Sequence, residues 1–207
     1  MKQLFLCSYF AGVKDLFRQY ASEKELGKQV LFIPTAGNVE DYRGYIDEAL
    51  QTFADLGFQV EVLDISACDR ETAQAKIFQS KLLYVSGGNT FYLLQELKKK
   101  QLLSLIKEQI ADGMIYVGES AGAVITAEDI DYIRLMDDKE VAGELSDTVA
   151  LKEADFYLLP HVGEEPFAES AQAILNTYGD KLNLLPLNNR QAVLVEDEEV
   201  KVLVENK

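Results

Sequence analysis

The sequence predicts an α/β fold with a mostly parallel sheet and helices on both faces. Short apolar runs alternate along the chain with segments of helical periodicity, which is typical of βαβ units. Runs such as VLFI and LLYV are apolar throughout, as strands buried on both faces of a parallel sheet are. The end of the chain differs, because Gln191–Glu196 and Val200–Val204 flank the acidic turn Asp197–Glu199 and predict a β-hairpin.

The elements follow in order from the apolar pattern. Apolar residues three and four apart predict a helix over Val39–Leu56, with Asn38 as its N-cap and Gly57 at its end. A second helix is predicted over Thr90–Lys100. The stretch Glu128–Lys152 has weak periodicity and predicts an irregular excursion over the edge of the sheet. The remaining predicted strands are Leu4–Phe10, Val30–Pro34, Phe58–Asp64, Leu82–Ser86, Met114–Val117 and Phe156–Pro160.

Composition limits the kind of protein this is. With 48% hydrophobic residues and neither repeats nor linkers, residues 1–207 are expected to form one domain. A net charge of −15 argues against nucleic acid and anionic membranes as partners. The N-terminal run LFLCSYF is short for a signal peptide and favours a first strand, so a cytoplasmic location is expected. Cys7 and Cys68 are the only cysteines and there is one histidine, so the sequence predicts neither a disulfide framework nor a metal site.

The most informative segment is YVGESAGAVI, residues 116–125. A predicted strand leads into Gly118-Glu119-Ser120-Ala121-Gly122, and a helix-like run of small residues follows. Strand, turn and helix are the context in which Gly-x-Ser-x-Gly forms a nucleophile elbow, whose glycines avoid clashes with the neighbouring backbone. The segment therefore predicts Ser120 as a nucleophile and the Ala121 N–H as an oxyanion donor. The alternative is a tight turn whose glycines and serine only pack and cap.

A second turn follows the strand predicted over Leu82–Ser86. Gly87-Gly88-Asn89 ends that strand just before a helix, so its N–H groups can point into the crevice where α/β sheets bind ligands. Gly88 is a candidate for the second oxyanion donor, and Asn89 for holding a polar group of the substrate. The alternative is a tight turn with Asn89 as the helix cap.

His161 is the only histidine in the chain and follows the strand-like run ending at Pro160. A serine nucleophile needs a base that titrates near neutrality, so His161 is the predicted base. The sequence is less decisive about the acid that would orient the His161 imidazole. Asp137 is favoured, because it lies in the irregular segment between Ser120 and His161. Several acids stay open: Asp138, Asp180 before the strand-like Leu182–Leu187, and further loop carboxylates. If none serves, Asn189 or a backbone carbonyl is the next candidate.

Together these segments resemble the dipeptidase E family of serine peptidases, which also contains cyanophycinases. The resemblance rests on Gly-x-Ser-Ala-Gly, the earlier Gly-Gly-Asn and the later Pro-His, and it extends to Gln191–Leu194. It implies a flavodoxin-like fold related to class I glutamine amidotransferases, and cofactor-free hydrolysis by a serine, a histidine and an acid. It carries the nucleophile to Ser120 and the base to His161, and it suggests Gly88 and Ala121 as oxyanion donors.

The expected function is therefore hydrolysis of small peptides by a serine enzyme. An esterase or amidase with the same residues is the enzymatic alternative, and a binding or sensing module with an impaired triad is the non-enzymatic one. The expected partner is a small peptide substrate, and a homodimer is left open.

Overall fold

The computed structural model describes residues 1–205 and is built around a sheet of seven strands. Its order is β3-β2-β4-β5-β1-β8-β9, and the first five of these strands run parallel. The strands are β1 (Gln3–Cys7), β2 (Gln29–Ile33), β3 (Gln59–Val62), β4 (Leu82–Val85), β5 (Ile115–Glu119), β8 (Gln191–Glu196) and β9 (Glu199–Val204). The hairpin of β8 and β9 is antiparallel and pairs with β1. The predicted fold class and C-terminal hairpin are confirmed.

Helices cover both faces of the sheet and enclose two apolar cores. They are α1 (Lys14–Glu23), α2 (Gly44–Asp55), α3 (Arg70–Gln79), α4 (Thr90–Lys99), α5 (Leu103–Ala111), α6 (Ala121–Val124) and α7 (Ala168–Tyr178). Alternate residues of β1 serve different cores, with Leu4 on the side of α4 and α5, and Phe5 on the side of α1 and α2. Phe17 of α1 packs against both Phe5 and Phe53 of α2 in an aromatic cluster.

The helix predicted over Val39–Leu56 begins later than expected, at Gly44. Residues Thr35–Val39 form a 3₁₀ helix instead, and the Asn38 amide donates to Asp64 Oδ2 at 2.9 Å. Asn38 is therefore not the N-cap of α2, because its side chain ties the 3₁₀ segment to the loop after β3. Gly57 ends the helix as predicted, with a φ of 77° that suits glycine.

The strand predicted over Phe156–Pro160 forms outside the main sheet. As β6 (Tyr157–Leu159) it pairs in parallel with β7 (Leu184–Pro186) in a separate two-stranded sheet. The stretch Glu128–Lys152 is irregular, as predicted, and contains the short 3₁₀ helices Asp131–Leu135 and Glu140–Ala142. Since β6 and α6 contact each other, the end of β6 lies beside the segment that begins at Ser120.

The strand β5 lies inside the sheet, between β4 and β1. Because these three strands are parallel, the turns after their carboxyl ends meet at one edge. Such an edge is where open α/β sheets bind their ligands. None of the helices in the described part of the chain has the length and apolar character that a bilayer crossing requires.

Candidate active site

Ser120 lies in a strained turn between β5 and α6. Its φ of 46° and ψ of −108° are unusual for a residue with a side chain, and its N–H donates to the Cys7 carbonyl of β1 at 2.9 Å. The flanking glycines are required by close packing. A Cβ on Gly118 would lie 2.5 Å from the Gly122 carbonyl oxygen, and one on Gly122 would lie 2.1 Å from that of Val85. The turn therefore raises Ser120 above the sheet, where its side chain is partly exposed.

His161 follows β6 of the two-stranded sheet and reaches Ser120 from there. Its Nε2 lies 3.0 Å from Ser120 Oγ. The His161 backbone has a φ of 59°, and its N–H donates at 3.2 Å to the hydroxyl of Ser8, which in turn donates to the Leu187 carbonyl. The ring stacks on Phe167, with centroids 4.7 Å apart. The hydrogen bond of the His161 backbone and the stacking of its ring on Phe167 together fix the position of the imidazole.

The second nitrogen of the imidazole determines which tautomer is present. His161 Nδ1 lies 2.8 Å from Asn189 Oδ1, an atom that can only accept. Nδ1 therefore carries the proton, and the Nε2 lone pair faces the Ser120 hydroxyl. Burial lowers the pKa of His161, although the Asn189 hydrogen bond and the charge of Glu164 act in the opposite direction. At neutral pH the histidine is an uncharged base.

The structure does not bring Asp137 to His161. Its Oδ2 accepts the Thr90 N–H at 2.8 Å at the start of α4, and so ties the irregular excursion to that helix. Of the other two acids, Asp138 accepts from a backbone N–H of its own loop and Asp180 is exposed after α7. The assignment of Asp137 as the orienting acid is therefore corrected, because the place beside Nδ1 is held by the amide of Asn189.

The Gly87–Gly88 turn lies against Ser120. A Cβ on Gly87 would lie 3.3 Å from the Ser120 Cβ, so the two turns are in contact. Gly88 has a φ of 127°, and a Cβ there would collide with the backbone of Ala36. Within residues 1–205, neither the Gly88 N–H nor the Ala121 N–H donates a hydrogen bond. The residues predicted as oxyanion donors thus have N–H groups that are free to bind a ligand.

Asn89 is not available to a substrate. Its Oδ1 accepts the Tyr92 N–H at 3.0 Å, which makes it the N-cap of α4. Its amide donates to the Asp138 carbonyl at 2.8 Å, and the residue is 3% exposed. The role predicted for Asn89 in substrate binding is corrected to the structural alternative, since both ends of the side chain are engaged.

Sequence reasoning assigned no role to three side chains that shape the site: Ser8, Phe167 and Glu119. Glu119 occupies the variable position before the serine, and a glutamate at that position does not by itself indicate burial. In the structure, Glu119 is only 2% exposed. Ser8 is distant in sequence from both Ser120 and His161, and Phe167 follows His161 by six residues, but neither residue type indicates a contact with the imidazole. The residues described contain no group of three or more histidine, cysteine or acidic side chains placed to hold a metal ion.

One wall of the crevice is formed by Tyr45, at the start of α2. Its ring carbons lie 3.6 Å from where a Gly87 Cβ would be. Its hydroxyl is buried and has no hydrogen-bond partner among the residues described. Burial and the charge of Glu40 raise the pKa of this phenol, and the charge of Arg43 acts in the opposite direction. The hydroxyl lies against Gly37, 2.9 Å from where a Cβ of that residue would be, so it is the ring of Tyr45 that lines the crevice.

A serine and a histidine paired at the end of a central parallel strand are typical of hydrolases that attack carbonyl carbons. The chain belongs to peptidase family S51, a family of serine peptidases, whose model matches residues 6–203. It is 44% identical to an uncharacterized peptidase of Pasteurella multocida over 198 residues, 96% of this chain and 95% of that one. It is 42% identical to an uncharacterized peptidase of Listeria monocytogenes over 200 residues, 97% of both.

The solved structures agree with this assignment. A crystal structure of a protein from Listeria monocytogenes, proposed to be a peptidase E, matches over 100% of both chains. The TM-score is 0.94 and the sequence identity is 40%. The protein is therefore a peptidase with the fold that the resemblance implied.

Proposed function

We propose that this peptidase hydrolyses small peptides with Ser120 as nucleophile and His161 as general base. The observation that carries the proposal is the 3.0 Å contact between Ser120 Oγ and His161 Nε2 in a strained turn beside free N–H groups. Activation of a serine by a hydrogen-bonded, oriented histidine is a general solution for acyl transfer. The expectations of a cytoplasmic location, a small peptide substrate and a homodimer stay predictions.

In the first half-reaction, the Ser120 oxygen attacks the carbonyl carbon and His161 Nε2 takes the hydroxyl proton. The negative charge that develops on the carbonyl oxygen is stabilised by the N–H groups of Gly88 and Ala121. When the carbon–nitrogen bond breaks, His161 returns the proton to the leaving amine, and the acyl group stays on Ser120. In the second half-reaction a water molecule gives a proton to His161 and attacks the acyl carbon, and His161 returns this proton to the Ser120 oxygen when the acyl–oxygen bond breaks and the acid is released.

The amide of Asn189 gives some support to the esterase alternative. An amide orients the imidazole, but it stabilises the imidazolium less than a carboxylate does. A peptide needs protonation of its leaving amine, whereas an alcohol leaves from an ester more easily. Esters are therefore expected to be cleaved as well, and the ratio of ester to peptide rates measures how much the missing acid costs.

The test is to replace the nucleophile and measure both labelling and hydrolysis. A fluorophosphonate should label the wild-type enzyme at Ser120, and Ser120→Ala should remove the label. Hydrolysis of dipeptides, longer peptides and esters should fall by about 10⁴–10⁶-fold in kcat. Circular dichroism should be unchanged, since only one oxygen atom is lost. A folded Ser120→Ala variant with near-normal activity would show that the turn is structural only.

A further inference from the structure

Glu119, immediately before Ser120, joins several of the segments that surround the nucleophile. Its Oε1 accepts the Phe10 N–H at 2.7 Å, from the turn after β1. Its Oε2 accepts the Tyr84 hydroxyl at 2.5 Å, from β4, and the Gly87 N–H at 3.4 Å, from the turn after β4. The carboxyl group is therefore a buried acceptor for three donors, one on β4 and two in the turns after β4 and β1, the strands on either side of β5.

The contact with Gly87 bears on the adjacent Gly88 N–H. On the far side, the turn is held by the Asn89 N–H, which donates to the Ala36 carbonyl at 2.9 Å. On the near side, the backbone of Ser86 is hydrogen-bonded to Ile33 and Gly122, and the Glu119 carboxylate accepts the N–H of Gly87 itself. Because an oxyanion donor must sit within a few tenths of an ångström of its working position, release of either anchor weakens it.

We propose that Glu119 is a positioning residue: its carboxylate holds the Gly87–Gly88 turn where the Gly88 N–H can bind the substrate oxyanion. This rests on the function proposed above. An ionised carboxylate can accept from all three donors at once. A protonated one is an uncharged and weaker acceptor, and its O–H can be accepted by the Tyr84 hydroxyl. The longest bond, from the Gly87 N–H, weakens with the loss of charge, so the oxyanion turn is held most firmly while Glu119 is charged.

The surroundings of Glu119 place its titration in a measurable range. Burial raises the pKa of Glu119 to about 7, while its hydrogen bonds act in the opposite direction. The titratable groups that face it are Cys7 of β1, Tyr9 in the turn after β1, Tyr84 of β4, and Tyr45 and Glu48 of α2. The pKa values of the thiol and the three phenols are all raised, so these groups stay neutral at pH 7. Glu48 is the charged neighbour, and Ser120 links Glu119 to the titrating His161.

The first test is Glu119→Gln. The amide group fits best with its nitrogen at the Oε2 position, where the Tyr84 hydroxyl can accept but the Gly87 N–H cannot. We expect kcat to fall by about 10²-fold, the effect of losing one oxyanion donor, with KM within a few-fold. In the wild type, kcat/KM should fall with decreasing pH through the titration of both Glu119 and His161. The variant should keep only the limb of His161, at lower pH.

Two further variants complete the test. Tyr84→Phe removes a hydrogen bond that favours the charged form of Glu119, so the limb of the kcat/KM profile that reports Glu119 should move to higher pH. This variant carries the test if Glu119→Gln does not fold. Glu61→Gln, at an exposed acid on the distant edge strand β3, is the matched control and should leave the profile unchanged.

Labelling of the wild type at Ser120 separates the two proposals. If the wild type is labelled and active but both Glu119→Gln and Tyr84→Phe keep its kcat and pH profile, Glu119 does not position the turn. If the wild type is neither labelled nor active, the function proposed above fails, and this proposal fails with it.

Discussion

The histidine of this site is oriented by a neutral amide. Asn189 lies in the turn before β8, and its Oδ1 holds the tautomer of His161 whose Nε2 lone pair faces Ser120. Papain-like proteases use an amide in the same way beside their Cys-His pair. The charge that a triad acid would supply is partly replaced by Glu164, which accepts the Asn189 N–H at 3.4 Å and raises the pKa of His161. Orientation and charge are thus supplied by different residues.

Replacing Asn189 separates these two contributions. Asn189→Ala removes the orienting acceptor and should lower kcat by about 10–10²-fold, the effect usual for a group that orients a functional histidine. Asn189→Asp keeps the acceptor and adds a charge, so the pKa of His161 should rise. The limb of the kcat/KM profile that reports His161 should therefore move to higher pH. The measurement is a pH profile for each variant with one peptide and one ester.

Asp137→Asn is the control for this experiment. An asparagine at 137 can still accept the Thr90 N–H, so kcat should stay within a few-fold of the wild type. A loss of about 10⁴-fold, as for a serine-protease aspartate, would instead assign Asp137 to the mechanism.

Part of the site could be predicted from residue types alone. Ser120 stood in a strand–turn–helix context, and His161 was the only histidine that could serve it. The partner of His161 could not be chosen in the same way, because an acid, an amide or a carbonyl can each accept from Nδ1. Asp137 was favoured for its position between the two residues, but its loop turns toward α4 instead. Which loops fold back on the imidazole depends on tertiary packing, which no local pattern records.

At the scale of elements, the strands were predictable and their partners were not. The apolar pattern located β1 to β6 to within a few residues, because the inner strands are buried on both faces and require apolar runs, although the edge strand β3 is mostly exposed. The apolar pattern of the sequence does not show that β6 pairs with β7 outside the main sheet, although this pairing brings His161 to Ser120. The late start of α2 likewise follows from a side-chain contact, that of Asn38 with Asp64.

The close packing of α6 on β4 leads to a prediction at this scale. Gly122→Ala would place a methyl group 2.1 Å from the Val85 carbonyl oxygen, and neither backbone can move without shifting the elbow. We expect the free energy of unfolding to fall by roughly 2–4 kcal/mol, with loss of Ser120 labelling. Gly143→Ala is the matched control, because nothing lies within 4 Å of its added methyl group and its φ is −60°. Equal stability of the two variants in urea titrations would contradict the packing argument.

At the scale of the whole molecule, negative charge dominates. The chain has 35 acidic and 20 basic residues, and two of these acids, Glu96 and Glu119, are buried. Glu96 is paired with Lys99 at 3.1 Å, whereas Glu119 accepts hydrogen bonds from neutral donors. Asp137 is a third acid held inside, although it is only partly buried. Exposed acids lose little when they ionise, whereas a buried one loses hydration. The pH dependence of stability above pH 5 should therefore come largely from Glu119 and Asp137, whose pKa values are raised by burial.

The sign of this dependence follows from the direction of the two pKa shifts. Burial raises the pKa of Glu119 from 4.5 to about 7 and that of Asp137 from 3.8 to about 6. The folded state therefore binds more protons than the unfolded state between about pH 4 and 7. The stabilisation is complete below the unfolded-state values, declines as the pH rises, and is lost once the folded-state values are passed. His161, whose pKa is lowered, contributes in the opposite direction, because its share is lost as the pH falls.

The prediction is that the protein is less stable at pH 8 than at pH 5, by about 3 kcal/mol from Glu119 and less from the partly buried Asp137. Urea titrations at both pH values measure the difference, and Glu119→Gln should remove most of it because an amide does not ionise. Asp137→Asn should remove the smaller share, whereas Glu61→Gln should remove none. Since His161 is present in every variant, its opposite contribution cancels in the comparison. An unchanged difference in Glu119→Gln would mean that this carboxyl group has the same proton affinity in the folded and unfolded chain, and that its burial costs no free energy on ionisation.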